Sequence, residues 1–325
     1  MQSSTVASKT GIPKFFYSAV DFTNFARSGG VEVSPTSLCC SPWSPTLQYG
    51  GNVACLLYSG LKSQLPMTQS QLSICQFTLS FFRPVPLQPL ILAPATPLRL
   101  GNKVVHLQVS LIGSRSCGEA EGVEVARAVG VFRREQDVSS YGAKENQKKL
   151  LPQQNSMNEL VSVFGEGSNS TSPQIGGSKV PHYEKPGVGF FWAQDIRVPK
   201  TMLNFKPGDK PEYWTRQHIP VFEHEQTVDP LHRLLMLGEG SGGLTAFLPL
   251  QKFSFVNPVF SMTVLRPPKT EWVSLKGRTD IDPETGAGLV TTTMFDEGGL
   301  CSAITQPQMV ESWDMVKAGK KSKSK

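Results

Sequence analysis

An Arg-Pro dipeptide follows an apolar, strand-like run at two places in this chain. Arg83-Pro84 ends the run QFTLSFFRP, and Arg266-Pro267 ends the run VFSMTVLRP, 183 positions later (266 minus 83). That spacing is far longer than the unit of a stacked repeat protein, so each copy is expected to be a whole domain. The chain length of 325 residues agrees, because domains usually have roughly 100–200 residues. The sequence therefore predicts a duplicated fold in which one site can be built between two copies.

A helical pattern precedes a series of strands in both copies. In the first copy, apolar residues recur at three- and four-residue spacing after Gly50-Gly51, which predicts a helix that ends at Pro66. In the second copy, Asp229 and Pro230 are typical of a helix cap and a first helical residue. Runs of alternating apolar and polar residues follow each helix and predict antiparallel strands that wrap it. We therefore expect an α+β fold.

Two polar segments divide the chain. Residues 137–185 are rich in Ser, Asn, Gln and Gly, which predicts a polar linker with one short helix around Met157–Phe164. Residues 313–325 contain the lysine-rich run KAGKKSKSK, which predicts a basic disordered tail. The expected domains are therefore residues 1–136 and residues 186–312.

The sequence lacks the patterns that are typical of several classes of protein. The net charge of +6 comes mainly from the tail lysines, so we expect no nucleic-acid partner. The six cysteines have no CxxC or Cys/His spacing suited to zinc, so we expect free thiols and no metal or redox cofactor. The N-terminus lacks the apolar core of a secretory signal, and no run approaches the roughly 20 apolar residues of a membrane span. We expect a cytoplasmic protein without a membrane span.

Strings in both copies occur in the order of a known family. The first copy contains LQYGGNVACLLYSGLK, FTLSFFRPVP and LRLGNKVVHLQVSLI, and the second contains LRPPKTEWVSLKGRTDIDPETGAGLVTTTMFDEGGLCSAITQPQMV. In this order the strings resemble the acyl-CoA thioesterase II family, and the resemblance covers most of residues 15–135 and 186–312. It implies a double hotdog, with two antiparallel sheets each wrapped around a central helix.

The resemblance also implies an activity. Members of the family hydrolyse acyl-CoA thioesters to a free acid and a thiol without a covalent nucleophile or a cofactor. For this chain the implied substrate is a thioester of coenzyme A or of an acyl-carrier protein. We expect a role in fatty acid metabolism or in the release of a product of secondary metabolite biosynthesis. Exposed hotdog sheets tend to pair, so we also expect homo-oligomers.

Three residues fall on the positions that hold the attacking water in the family. Those positions carry an Asp, a Thr or Ser, and a Gln, and the resemblance places Glu239, Asn257 and Gln306 there. Of these, Gln306 keeps the family's residue type. A carboxylate at 239 can still take a proton from water, and the amide at 257 offers a donor and an acceptor. We therefore predict Glu239, Asn257 and Gln306 as the catalytic residues.

Each of these residues also has an ordinary structural interpretation. Glu239 can be a solvated carboxylate at a helix end, although the helix dipole disfavours it there. Asn257 precedes Pro258 and can be a turn residue, and Gln306 can be a strand residue that points to water.

Glycines and arginines complete the predicted site. Gly50, Gly51 and Gly240 let an acyl chain or a pantetheine arm approach the backbone closely, so they are predicted to bind substrate. Arg83 and Arg266 are predicted at the same site. As strand-end residues they can instead pair with carboxylates across the interface of the two copies, and this is the interpretation we favour.

Two other functions stay open on the same fold. The Glu-for-Asp and Asn-for-Thr changes allow a catalytically impaired hotdog that binds acyl-CoA or an acyl-carrier protein as an accessory. A hotdog hydratase or dehydratase is the other alternative. A Ser-His-Asp hydrolase is not expected, because residues 238–242 read G-E-G-S-G and not G-x-S-x-G.

Overall fold

The computed structural model describes residues 13–18, 20–22, 25, 29–65, 72–113, 122–138, 140, 160–164, 174–175, 178–179, 189–199, 209–246, 248–249 and 252–314. None of the helices in these ranges is long and apolar enough to cross a membrane.

The N-terminal half of the chain has one long helix, α1 (Gly50–Ser63). It lies between a short hairpin and a group of longer antiparallel strands. The strands are β1 (Val31–Val33), β2 (Cys40–Ser41), β3 (Ser44–Gln48), β4 (Leu72–Phe81), β5 (Leu90–Leu92), β6 (Thr96–Leu100), β7 (Val104–Gly113) and β8 (Glu124–Arg134). The helix begins where Gly50-Gly51 predicts it, and the strands on either side of Gly101-Asn102 also form.

The C-terminal half repeats this order with two helices, α2 (Pro230–Glu239) and the single turn α3 (Ser241–Leu244). Three short strands come first in this part of the chain, namely β9 (Leu160–Phe164), β10 (Gln174–Ile175) and β11 (Ser178–Lys179). The remaining strands are β12 (Gln194–Pro199), β13 (Glu212–Gln217), β14 (Phe253–Val256), β15 (Val259–Val264), β16 (Trp272–Ile281), β17 (Ala287–Asp296) and β18 (Gly299–Ser312). As predicted, Asp229 caps α2 and Pro230 is its first residue.

The strands that precede the two Arg-Pro pairs join the two halves. β4 and β15 pair antiparallel, with Thr78 opposite Ser261, so fourteen of the described strands form one continuous sheet that includes both halves. The pairs β2-β3 and β10-β11 are separate from it. Along its main path the order is β1-β5-β7-β8-β4-β15-β18-β17-β16-β13-β12-β9. The two sheets expected from the sequence are therefore continuous with each other through β4 and β15.

The two long helices pack against each other and against strands of this sheet. α1 also contacts β7 and β8, and α2 contacts β13, β16 and β17. The helices run antiparallel, because Tyr49 before α1 donates to Met236 O near the end of α2, while Lys62 near the end of α1 reaches Asp229. Antiparallel packing places the start of each helix beside the end of the other.

Parts of the predicted linker and tail differ from the structure. The predicted short helix is wrong for Leu160–Phe164, because these residues form β9 and pair with β12; Met157 lies outside the described residues. After the predicted linker, the segment FFWAQDIRV begins with a 3-10 helix, Phe190–Ala193, and continues as β12. Trp313, assigned to the tail, packs near Trp43 with ring centroids 6.4 Å apart. The lysine-rich run itself lies outside the described residues.

Candidate active site

A cavity of about 740 Å³ opens where α1 begins and α2 ends. Both halves contribute its walls, which include Gly50 at the start of α1, Glu239 at the end of α2 and Asn257 between β14 and β15. Aromatic rings form much of the remaining surface, from Trp43, Tyr49, Phe81, Phe82, Phe190, Phe191, Phe255 and Trp313. The cavity is therefore suited to an apolar ligand that meets a small polar region at the helix junction.

Glu239 is the buried carboxylate of this polar region. The residue is 7% exposed, and burial raises the pKa of its side chain from 4.5 to about 7. The hydrogen bond from the Asn257 amide acts in the opposite direction, because it favours the ionised form. A carboxylate with this pKa can exchange a proton near neutral pH, as a general base must.

Asn257 holds one oxygen of that carboxylate. Its Nδ2 donates to Glu239 Oε1 at 2.8 Å from the loop between β14 and β15. The loop turns at Pro258, as the Asn-Pro pair predicts, but the amide is aimed at the carboxylate and lines the cavity. The structure thus brings Glu239 and Asn257 into direct contact across 18 residues of sequence.

Gln306 contacts the backbone at the end of α2. Its side chain is fully buried, and Nε2 donates to Gly238 O at 3.1 Å and to Glu239 O at 2.9 Å. Both carbonyls belong to the last turn of α2, where the regular hydrogen bonds of the helix end. Gln306 is absent from the described lining of the cavity, so its visible contacts fix the position of Glu239.

The three predicted glycines lie at the helix junction. A Cβ at Gly50 would overlap the Glu239 carboxylate, and a Cβ at Gly240 would overlap the Tyr49 hydroxyl. A Cβ at Gly51 would lie 2.5 Å from Met236 O, so the close approach of α1 to α2 requires glycine there. Gly50 and Gly240 line the cavity, whereas Gly51 lies at the helix contact beneath it.

The two predicted arginines are placed differently. Arg83 is exposed and lines the cavity. The Arg266 guanidinium forms a two-point ion pair with Asp296 and donates to Gly299 O at 2.9 Å. Asp296 belongs to the same half of the chain, so the carboxylate that we expected across the interface is instead a neighbour on β17. These contacts make Arg266 a structural residue.

The opposite junction of the two helices is filled by polar contacts. Asp229 Oδ1 accepts from the Leu231 N–H at 2.8 Å, and Asp229 Oδ2 accepts from Lys62 Nζ at 2.7 Å. Beside them, His232 Nε2 lies 2.9 Å from Ser59 Oγ, and burial lowers the pKa of this histidine. The side chain of Asp229 therefore accepts a hydrogen bond from a free N–H group at the start of α2.

Sequence reasoning missed Tyr49 and the aromatic walls. Tyr49 donates to Met236 O at 2.6 Å and stacks on Phe190 with ring centroids 3.8 Å apart. These rings come from separate segments, and a lone aromatic residue in a loop has no periodic signal. The one signal for Tyr49 in the sequence was its position directly before Gly50-Gly51. A residue that precedes a helix lies beside any ligand that binds the first N–H groups of that helix.

The described cysteines agree with the predicted free thiols. Cys39, Cys40, Cys55, Cys75 and Cys301 are free thiols, and Cys117 lies outside the described ranges. Within those ranges no cluster of three or more His, Cys, Asp or Glu side chains is placed to hold a metal ion.

A family model matches part of the N-terminal half. Residues 40–133 match the model described as the acyl-CoA thioesterase N-terminal domain. The match confirms the predicted resemblance and the expectation of an acyl-CoA thioesterase-like thioester hydrolase. No curated protein sequence matches the chain.

Solved structures share the overall fold. A protein of unknown function with a hot dog fold from Alicyclobacillus acidocaldarius has a TM-score of 0.60 at 13% identity, covering 90% of this chain and 99% of its own. The tesB protein of Mycobacterium avium subs paratuberculosis has a TM-score of 0.56 at 12% identity, with coverages of 91% and 95%. The acyl-CoA thioesterase II TesB2 of Mycobacterium marinum has a TM-score of 0.54 at 15% identity, with coverages of 88% and 94%. At these identities the likeness shows a hotdog-type fold.

Proposed function

We propose that this acyl-CoA thioesterase-like protein hydrolyses its thioester substrate by direct attack of a water molecule that Glu239 deprotonates. The observation that carries the proposal is the Glu239 carboxylate itself, which is buried in an aromatic cavity, has a pKa raised to about 7 and is held by Asn257 at 2.8 Å. A buried carboxylate facing a cavity is the group that such a reaction needs.

The backbone at the start of α1 supplies the second requirement. As water attacks, the thioester oxygen gains negative charge and needs N–H donors. Residues at the start of a helix have unpaired N–H groups that point outward, and Tyr49 makes no side-chain cap there. In this proposal the thioester oxygen binds at Gly50 and Gly51, beside Glu239.

The three predicted residues have distinct roles in this mechanism. Glu239 accepts the proton from water, and the Asn257 amide orients both the carboxylate and the water. Gln306 acts as a positioning residue, because its amide hydrogen-bonds the carbonyls of Gly238 and Glu239. We therefore propose a narrower role for Gln306 than direct contact with the water.

We further infer that the two halves are duplicated hotdog domains, residues 1–136 and 186–312, joined by the segment 137–185. Support comes from the shared order of a helix followed by strands, and from the pairing of β4 with β15 beside the two Arg-Pro pairs. The aromatic cavity favours a substrate with a bulky apolar acyl group, as expected of a thioesterase that releases a biosynthetic product. Homo-oligomers through the sheets stay a prediction.

A second candidate, an impaired hotdog that binds acyl thioesters, has one observation in its favour. The Glu239 carboxylate lies directly against the start of α1, because a Cβ on Gly50 would overlap Glu239 Oε1. The longer side chain of Glu, compared with Asp, can therefore compete with the substrate for the start of α1.

A thiol-release assay separates the two candidates. Purified protein is incubated with acyl-CoAs of graded length and with aromatic acyl-CoAs, and free thiol is followed over time. We expect release by the wild type and a loss of about 100-fold or more in kcat for Glu239→Gln, because the amide cannot accept the proton. Equal rates for the two proteins would contradict the proposed base. Binding of acyl-CoA without thiol release by the wild type would favour the accessory function.

A further inference from the structure

Gln308 is a buried amide in the cavity that the proposed hydrolysis does not use. It lies on β18, two residues beyond Gln306, and contributes to the cavity lining. The residue is 4% exposed, and its Oε1 atom has no hydrogen-bond partner among the residues that the structure describes. Buried amide oxygens normally accept a hydrogen bond, because an unpaired one raises the free energy of the protein.

The strand sets the distance between Gln308 and the proposed catalytic residues. Side chains two positions apart on a strand point to the same face, on the order of 7 Å from each other. Farther along, β18 pairs with β14 and leads to Trp313, whose ring lies near that of Trp43. Gln308 therefore stands between the Glu239 end of the cavity and its aromatic end.

Gly242 on α3 holds the two glutamines at this place. A Cβ at Gly242 would overlap Gln308 Nε2 and would lie 3.2 Å from Gln306 Oε1. Both amides thus lie close to the same glycine, and a larger residue at position 242 would overlap the amide of Gln308.

We propose that Gln308 is a specificity-determining residue that accepts a hydrogen bond from an N–H or O–H group of the substrate. Two parts of a thioester substrate carry such a donor: a hydroxyl on the acyl chain and an amide of the pantetheine arm. The inference rests on the proposed thioesterase function. A site that pairs a buried amide with a substrate donor rejects analogues without that donor, because they leave the amide unpaired.

Gln308→Met tests the proposal, since methionine has a similar length and no amide. Two matched pairs of substrates distinguish the two donors. The first pair is a series of hydroxyacyl-CoAs and their deoxy counterparts, and the second is an acyl thioester of N-acetylcysteamine and the same thioester of butanethiol. We expect the wild type to prefer the donor-bearing member of one pair by about tenfold or more in kcat/KM. In Gln308→Met that ratio falls towards one, while kcat/KM for the other member changes little.

Two further variants control the experiment. Thr305→Met places the same side chain on the exposed face of β18 and is expected to keep the wild-type ratio. Gln308→Glu keeps an acceptor oxygen at the site and is expected to retain the preference. It tests the same hydrogen bond if the methionine variant does not fold. Unchanged ratios for both substrate pairs in Gln308→Met would overturn the inference and leave the thioesterase function intact. Absence of thiol release by the wild type with every thioester would overturn the proposed function, and this inference with it.

Discussion

The two packed helices begin in opposite ways, although each lies beside the end of the other. α1 begins with Gly50-Gly51, has no side-chain cap, and opens into the cavity opposite Glu239. α2 begins with Pro230, which has no N–H, and Asp229 caps its next free donor while pairing with Lys62. The start of α1 therefore faces the cavity and the Glu239 carboxylate, whereas the start of α2 is capped by Asp229.

The pKa values of the carboxylates at the two helix junctions are also shifted in opposite directions. At the cavity, burial outweighs the hydrogen bond from Asn257 to Glu239 and raises the pKa of Glu239 to about 7. At the other end, burial also tends to raise the pKa of Asp229, but His232, Lys62 and the Leu231 N–H outweigh it, and the pKa is lowered. The comparison teaches that the same antiparallel helix packing can raise the pKa of a carboxylate at one junction and lower that of a carboxylate at the other.

The largest expected effect is an opposite pH dependence of stability for the two carboxylates. Because the pKa of Glu239 rises from 4.5 to about 7 on folding, its ionised form destabilises the protein as the pH increases through this range. Glu239→Gln should therefore become more stable than the wild type, by up to about 3 kcal/mol at pH 8, with no gain below pH ~4.5. Urea unfolding across pH 4 to 8 measures the difference.

Asp229→Asn is the matched control for this experiment. Folding lowers the pKa of Asp229, so its ionised carboxylate stabilises the protein at pH values above the pKa of the unfolded state. The stabilisation is lost as the pH falls through the pKa of the folded state. Asp229→Asn should be less stable than the wild type at neutral pH, and the loss should shrink in acid. Stability changes of the same sign in both variants would refute the contrast between the two junctions.

An intermediate effect is expected from Gly51→Ala. The added methyl would lie 2.5 Å from Met236 O, so the helices must move apart at the cavity end. We expect a loss of about 1–3 kcal/mol in the free energy of unfolding, as for other overpacked sites, together with slower thiol release. A methyl group at Gly243 would lie no closer than 4.0 Å to Trp43. Gly243→Ala should therefore change neither the free energy of unfolding nor the rate of thiol release. Similar stabilities for the two alanine variants would argue against the close helix contact.

The smallest expected effect is a shift in the pH profile of Asn257→Leu. The wild-type rate should rise with pH through about 7 if ionised Glu239 acts as the proposed base. The Asn257 N–H favours that ionised form, so its removal should move the midpoint of kcat/KM to higher pH by a fraction of a unit. Gln308→Met should keep the wild-type midpoint. A shift to lower pH would contradict the assigned hydrogen bond.

Local patterns predicted the elements well where they were periodic or capped. Asp229-Pro230 and Gly50-Gly51 marked the true helix starts, and the long alternating strands β7, β8, β16 and β17 formed as expected. β9 was missed because five residues in a polar segment carry too little pattern, and pairing with β12 decides its conformation. The partner of Arg266 was predicted on the wrong side because a side chain's partner depends on strand register, which no local string contains.

The sequence by itself determined the duplicated order of a helix followed by strands, because propensity, capping and alternation act over a few neighbouring residues. It also gave the family resemblance that singled out Glu239, Asn257 and Gln306. Only the tertiary structure decided that Glu239 is buried beside the start of α1, that aromatic rings from six separate segments line the cavity, and that the start of α2 is capped and paired with Lys62. The pKa of a carboxylate depends on what surrounds it in space, and helix and sheet packing bring those groups together from distant positions.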